Sequence, residues 1–268
     1  MHPVALKAAV AVGPFALSLL AGCGMGPTFE RRVTVEFAPA SDAILGVKSS
    51  NGGISVGPAT GESVVVNARI RARSQERADS TQIVAALSQD GAYVIEAVWP
   101  TPRMSNEGCS FEVSTPPVSG VDIDTSNGAI TLTGLSGSAR LDTSNGAIKV
   151  NGFDGRIDAE TSNGPITIIG ASSSVSADSS NGPISVELTD GAMGPVTIQT
   201  SNGSISLVIG EGFVGTVVGD TSNGSVSFVT PRAASVSTSK GRGSASFGQG
   251  GASSELKSSN GSITVRSR

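Results

Sequence analysis

Histidine is almost missing from this 268-residue chain: the only one is His2, in the first few residues. A body without histidine has no Ser-His-Asp triad, no imidazole general base and no histidine metal site. Cysteine is nearly as scarce, with Cys23 and Cys109 alone, so a framework of several disulfides is excluded. Aromatic residues make up 4% of the chain, too few to build stacking platforms for nucleic-acid bases. Basic residues are outnumbered: without Lys7 of the leader there are 17 against 22 acidic ones, a net of −5. That balance argues against a nucleic-acid partner, which needs concentrated Lys and Arg.

The chain opens with a targeting pattern. Lys7 precedes a low-polarity run from Ala8 to Leu20. Thirteen such residues are too short to span a bilayer but suit the apolar region of a signal peptide. The run ends in Leu20-Ala21-Gly22-Cys23, which resembles the lipobox of bacterial lipoproteins. That resemblance implies cleavage after residue 22 and a diacylglycerol on the Cys23 thiol, leaving Cys109 without a partner in its own chain. An ordinary secretory signal with a chance cysteine is the competing reading. Residues 1–22 are therefore expected to be the signal and residues 23–30 a short tether. The body would be held by lipid on the outer side of a membrane, the outer membrane in a two-membrane bacterium.

What the chain has in abundance is repetition. Ser-Asn-Gly recurs at Asn51, Asn127, Asn145, Asn163, Asn181, Asn202, Asn223 and Asn260. A degenerate copy, Thr238-Ser239-Lys240-Gly241, precedes the last. Aligned on the asparagine, apolar residues fall six and four places before it and three and five after it, as in Ile157, Ala159, Ile166 and Ile168. Two places before stands Thr or Ser in every copy. A period of two on both sides of Asn-Gly describes two short strands around a bend, with Gly expected to supply a positive backbone angle there.

A unit of about 18–21 residues cannot bury its own apolar face, but stacked copies can. The expected fold is all-β: a single-stranded β-solenoid, taken as a right-handed β-helix, with the asparagines forming a ladder of amides. A β-sandwich is the competing fold. Residues 118–268 are expected to be the regular coils. Residues 31–117 are expected to be an irregular β cap holding the first repeat and a hairpin turning at Asp90-Gly91. Between Arg69 and Ser80 the polar pattern fits a loop or a short helix. The proline-bracketed stretch around Cys109 reads as poorly ordered.

The Thr-Ser-Asn-Gly-x-Ile repeats, from Val33 to Val265, resemble a family of exported bacterial proteins named as candidate adhesins and largely a domain of unknown function. The resemblance implies export and a β-solenoid and supplies no catalytic residue.

Three places before each asparagine lies a residue expected to face solvent, and four successive ones are acidic: Asp124, Asp142, Glu160 and Asp178. Carboxylates on adjacent strands repel, so the row is either a solvated face or a linear site for a hard cation such as Ca²⁺. No other cofactor is expected. The C-terminal 39 residues are basic, with six bases against Glu255, which suits contact with an anionic polymer or the capping of an open stack. The function expected from these features is a non-catalytic, lipid-anchored envelope protein, an adhesin or protein-interaction solenoid contacting an unknown protein or envelope polymer. A periplasmic scaffold and a polysaccharide-acting β-helix enzyme are the alternatives.

Overall fold

The computed structural model describes residues 28–40, 42–88 and 91–268, so the signal segment, Cys23 and Asp90 lie outside the described residues. The chain is all-β, and it divides into two compact units, one ending at Ile130 and the other running from Thr131 to Arg268.

In the first unit β1 (Phe29–Phe37) pairs antiparallel with β4 (Val64–Ala72). Its first repeat is split into β2 (Ile44–Asn51) and β3 (Ile54–Pro58), the two strands expected around Asn51. A helix, α1 (Gln75–Ser80), follows β4, with the Ser74 hydroxyl capping it by accepting from the Arg77 N–H. The polar segment is thus divided: strand through Ala72, helix from Gln75. β5 (Gln82–Leu87) and β6 (Tyr93–Val98) form the expected antiparallel pair. β7 (Gly108–Thr115) pairs with β3 in parallel and with β4 antiparallel, and β8 (Gly120–Asn127) lies parallel to β2.

The stretch around Cys109 corrects the sequence reading. It is β7, a fully paired strand whose Cys109, Phe111 and Val113 point into the core. Flanking prolines suggested disorder, but they sit outside the strand, and alternation within it decides its placement.

The second unit is the stack. Each coil contributes one strand before its asparagine and one after. The leading strands are the C-terminal half of β10 (Ile148–Asn163), then β12 (Val175–Asn181) and β14 (Val196–Asn202), joined in parallel with Asn163 opposite Asn181 and Asn181 opposite Asn202. The trailing strands are the N-terminal half of β10, β11 (Ile166–Ala171), β13 (Ile184–Leu188) and β15 (Ile205–Ile209), also parallel. β9 (Ile130–Asn145) precedes them and pairs with β10. The core between the two rows is aliphatic, with Ile157, Ile166, Ile168, Ile184 and Ile205 all buried.

The stack does not follow chain order to its end. After β15 the chain forms β16 (Gly215–Asn223), β17 (Val226–Val229), β18 (Ser235–Ser239) and β19 (Arg242–Phe247), then β20 (Ala252–Asn260) and β21 (Ile263–Ser267). β20 lies between β14 and β16, parallel to both, with Asn260 opposite Asn202 on one side and Asn223 on the other. β21 likewise lies between β15 and β17. The last coil in sequence is therefore an inner coil of the stack. The degenerate repeat is not a coil at all: β18 and β19 are an antiparallel hairpin turning at Lys240-Gly241, and β19 pairs antiparallel with the far edge of β16.

Candidate functional site

Three features line the bend, and each is built from the repeat. The asparagine amides form a chain of hydrogen bonds. In the first unit Asn127 Nδ2 donates to Asn51 Oδ1 at 2.9 Å, and Asn51 Nδ2 donates to the Glu107 carbonyl at 3.0 Å. In the second, Asn163 donates to Asn145, Asn181 to Asn163, Asn202 to Asn181, Asn260 to Asn202 and Asn223 to Asn260, all at 2.9–3.0 Å.

Beneath this ladder lies a second one that the sequence showed only as a persistent Thr or Ser. The Thr125, Thr161, Ser179, Thr200, Thr221 and Ser258 hydroxyls each donate to a repeat-glycine carbonyl of the neighbouring coil at 2.8–3.1 Å. These residues are buried in the core row, where an unmet hydroxyl would be costly.

The repeat glycines are required for a different reason from the one expected. Gly182, Gly203 and Gly261 do not take left-handed angles. Instead a Cβ on Gly203 would lie 2.1 Å from the Gly182 carbonyl oxygen, and one on Gly261 would lie 2.0 Å from that of Gly203. The bends stack so closely that only hydrogen fits.

The residues three places before the asparagine do not gather into a cation cage. Asp124 lies opposite Lys48 in the first unit. In the second unit Glu160 faces Asp178, Asp178 faces Gln199, Gln199 faces Lys257, and Lys257 faces Asp220, so the inserted coil breaks the acidic row with a base. Asp142 sits on β9 near the start of this row. Among the described residues no three His, Cys, Asp or Glu side chains are grouped so as to hold a metal ion. Burial pushes the Asp178 carboxyl above its ordinary range.

At the inserted coil this face forms an open polar hollow of about 380 Å³, lined by Asp178, Gln199, Asp220, Arg242, Lys257 and the Ser201, Ser222 and Ser259 edge. Arg242 Nε lies 3.0 Å from Asp220 Oδ2, and Lys257 Nζ lies 2.7 Å from Glu255 Oε1. Of the six C-terminal bases, Arg242, Lys257 and Arg268 are ion-paired. Arg268 reaches Glu187 and Asp190, and Arg232 donates to the Glu211 carbonyl.

The profile of a family described as Toastrack DUF4097 matches residues 32–266, nearly the whole of the described chain. The chain belongs to the Toastrack DUF4097 family. Solved structures similar to this Toastrack chain include a candidate adhesin from Bacteroides fragilis, with 11% identity and a TM-score of 0.43, over 89% of this chain and 97% of that one. A candidate adhesin from Parabacteroides distasonis has 10% identity and a TM-score of 0.39, over 89% and 97%. A protein from the same species described as a candidate lipid binding protein has 13% identity and a TM-score of 0.35, over 88% and 96%. No curated protein sequence matches the chain. Among the described residues no helix is long and apolar enough to cross a membrane.

The first unit holds a buried carboxylate and a buried thiol, both shifted from their ordinary range. Glu107, wholly buried, is clasped by the Arg77 guanidinium, whose Nη2 lies 3.0 Å from Oε2, and it accepts the Met104 N–H at 2.9 Å. Burial alone would raise its carboxyl, but Arg77, the Met104 N–H and Arg103 outweigh that and hold it below the usual range. Arg77 also donates to the Pro100 and Pro102 carbonyls, tying helix α1 to the loop before β7. Cys109 is a buried free thiol, pushed up to about 12 by burial. A thiol held protonated is a poor nucleophile and a poor metal ligand.

Proposed function

We propose that this Toastrack protein is a lipid-anchored, non-catalytic protein of the bacterial cell envelope, whose stacked coils serve as a contact surface for a protein or an envelope polymer. The observation that carries the reading is the arrangement of polar groups on the outer face. They lie in single rows, one per strand, and culminate in a hollow where Arg242 is paired with Asp220 and Lys257 with Glu255. Such a surface suits a polar, hydroxyl-rich or peptide ligand held by many modest contacts. Adhesion is the form of contact that export and the lipobox favour, with Cys23 as the lipidated residue.

The deciding experiment is protease shaving or antibody labelling of the protein on intact cells. Surface exposure supports adhesion. Labelling only after the outer layer is opened replaces it with an inward-facing envelope scaffold. A polysaccharide-acting enzyme is the competing class, and release of new reducing ends from envelope polymers by the purified protein would install it instead.

A further inference from the structure

The outward face of the β1–β4 sheet carries a cluster of arginines at the end where the chain leaves toward Cys23. Val33, Val35 and Phe37 of β1 and Val66, Ala68, Ile70 and Ala72 of β4 point inward, so alternation sends Arg32, Arg69 and Arg71 the other way, and Arg73, in the bend after β4, is exposed. Arg32 lies directly opposite Arg69, a pairing of like charges that disfavours the sheet unless an anion answers it. The carboxylate among them is Glu30, within 3.7 Å of Arg32 and 3.9 Å of Arg69 and itself opposite Arg71. Glu36 of β1 and Glu112 of the adjoining β7, opposite Asn67, also face outward but make no ion pair with these arginines, and Arg71 and Arg73 have no ion-pair partner among the described residues. Arg31 points inward and donates to the carbonyls at the end of α1, and the acidic Asp79 of α1 pairs with it, so neither joins this face.

The position of this cluster says what it would meet. Phe29, the first residue of β1, is opposite Ala72, and Cys23 precedes it by six residues. Six residues span at most about 20 Å, so an anchored Cys23 keeps the arginines close to the headgroups. A basic patch beside an anchor adds electrostatic attraction to anionic headgroups and orients the body against them.

We propose that Arg32, Arg69, Arg71 and Arg73 form a docking face for anionic phospholipid headgroups, holding the first unit against the membrane that bears the anchor. This rests on the reading of Cys23 as lipidated, but its test does not. The chain from residue 23 onward, containing every described residue and carrying Cys23→Ser, is sedimented with vesicles of phosphatidylcholine alone or with 30% phosphatidylglycerol. The expected result is binding to the anionic vesicles only, weakening as salt rises. Replacing Arg69, Arg71 and Arg73 by Gln should lower that binding at least tenfold with an unchanged Tm, and replacing them by Lys should restore most of it. Equal binding to both vesicles, an unaffected Gln variant, or retention on soluble polyphosphate without vesicle binding would overturn the proposal. Lipidation is read separately, from the mass of the Cys23 peptide in native membranes, so either idea can fail without the other.

Discussion

Asn260 donates its side-chain amide to Asn202 Oδ1 at 2.9 Å across 58 residues of chain, while Asn223, nearer to Asn202 in sequence, sits on the far side of Asn260. The final coil is therefore held on both faces. Its Leu256, Ile263 and Val265 are fully buried, whereas Val236 of the hairpin is 49% exposed. Leu256→Ala should cost about 2–5 kcal/mol and Val236→Ala within about 0.5 kcal/mol, measured by denaturant unfolding. If the coils stacked in chain order, Leu256 would lie in a terminal coil and its truncation would be mild.

The close approach of the bends ranks substitutions within one repeat. Asn202→Ala removes exposed amide bonds and should cost about 1 kcal/mol. Gly203→Ala forces a methyl group to within 2.1 Å of the Gly182 carbonyl and should cost about 3 kcal/mol, the upper end for overpacking. Thr200→Val keeps the shape but leaves that same carbonyl without its donor, for about 1–3 kcal/mol, and Thr200→Ser should be tolerated. Thermal melts of the four variants check the order. A Gly203→Ala protein as stable as Asn202→Ala would mean that the coils are further apart than described.

Glu107 makes stability pH-dependent with a defined sign. Its folded-state carboxyl lies below its ordinary range, so its contribution is full above the unfolded value and is lost as pH falls through the folded one. Glu107→Gln should cost about 3 kcal/mol at neutral pH, at the low end for a broken buried pair because Arg77 keeps some exposure. The gap between variant and parent should narrow in acid. A gap that stays constant from neutral pH into strong acid would rule out an ionised Glu107.

Cys109 should be silent toward a thiol reagent at pH 8 in the folded protein, because burial holds the thiol protonated and out of reach. Full labelling is expected on unfolding in denaturant. Rapid native labelling would show that β7 opens readily.

Much of this fold was legible in local pattern. Ile166 and Ile168 are inward, and Thr161 precedes Asn163 by the two places that keep it in the core row, all from a period of two. The role of that hydroxyl was not legible, since its acceptor is the Gly146 carbonyl of the neighbouring coil. The strand around Cys109 was hidden by its flanking prolines. The polar hollow was equally hidden: Asp178, Asp220, Arg242 and Lys257 belong to four separate segments and meet only through the inserted coil.

The sequence by itself determined the repeating unit: two strands per coil, their inward and outward residues, the asparagine at the bend and a body without histidine chemistry. These follow from alternation and composition, which are local properties of the chain. Only the tertiary structure decided the order of the coils, the conversion of the degenerate repeat into a hairpin and the meeting of Asn260 with Asn202. Every coil offers nearly the same edge, so pairing Asn202 with Asn223 or with Asn260 is equivalent by local pattern. The choice falls to long-range packing, with β19 occupying the outer edge of β16 and the returning chain filling the inner one.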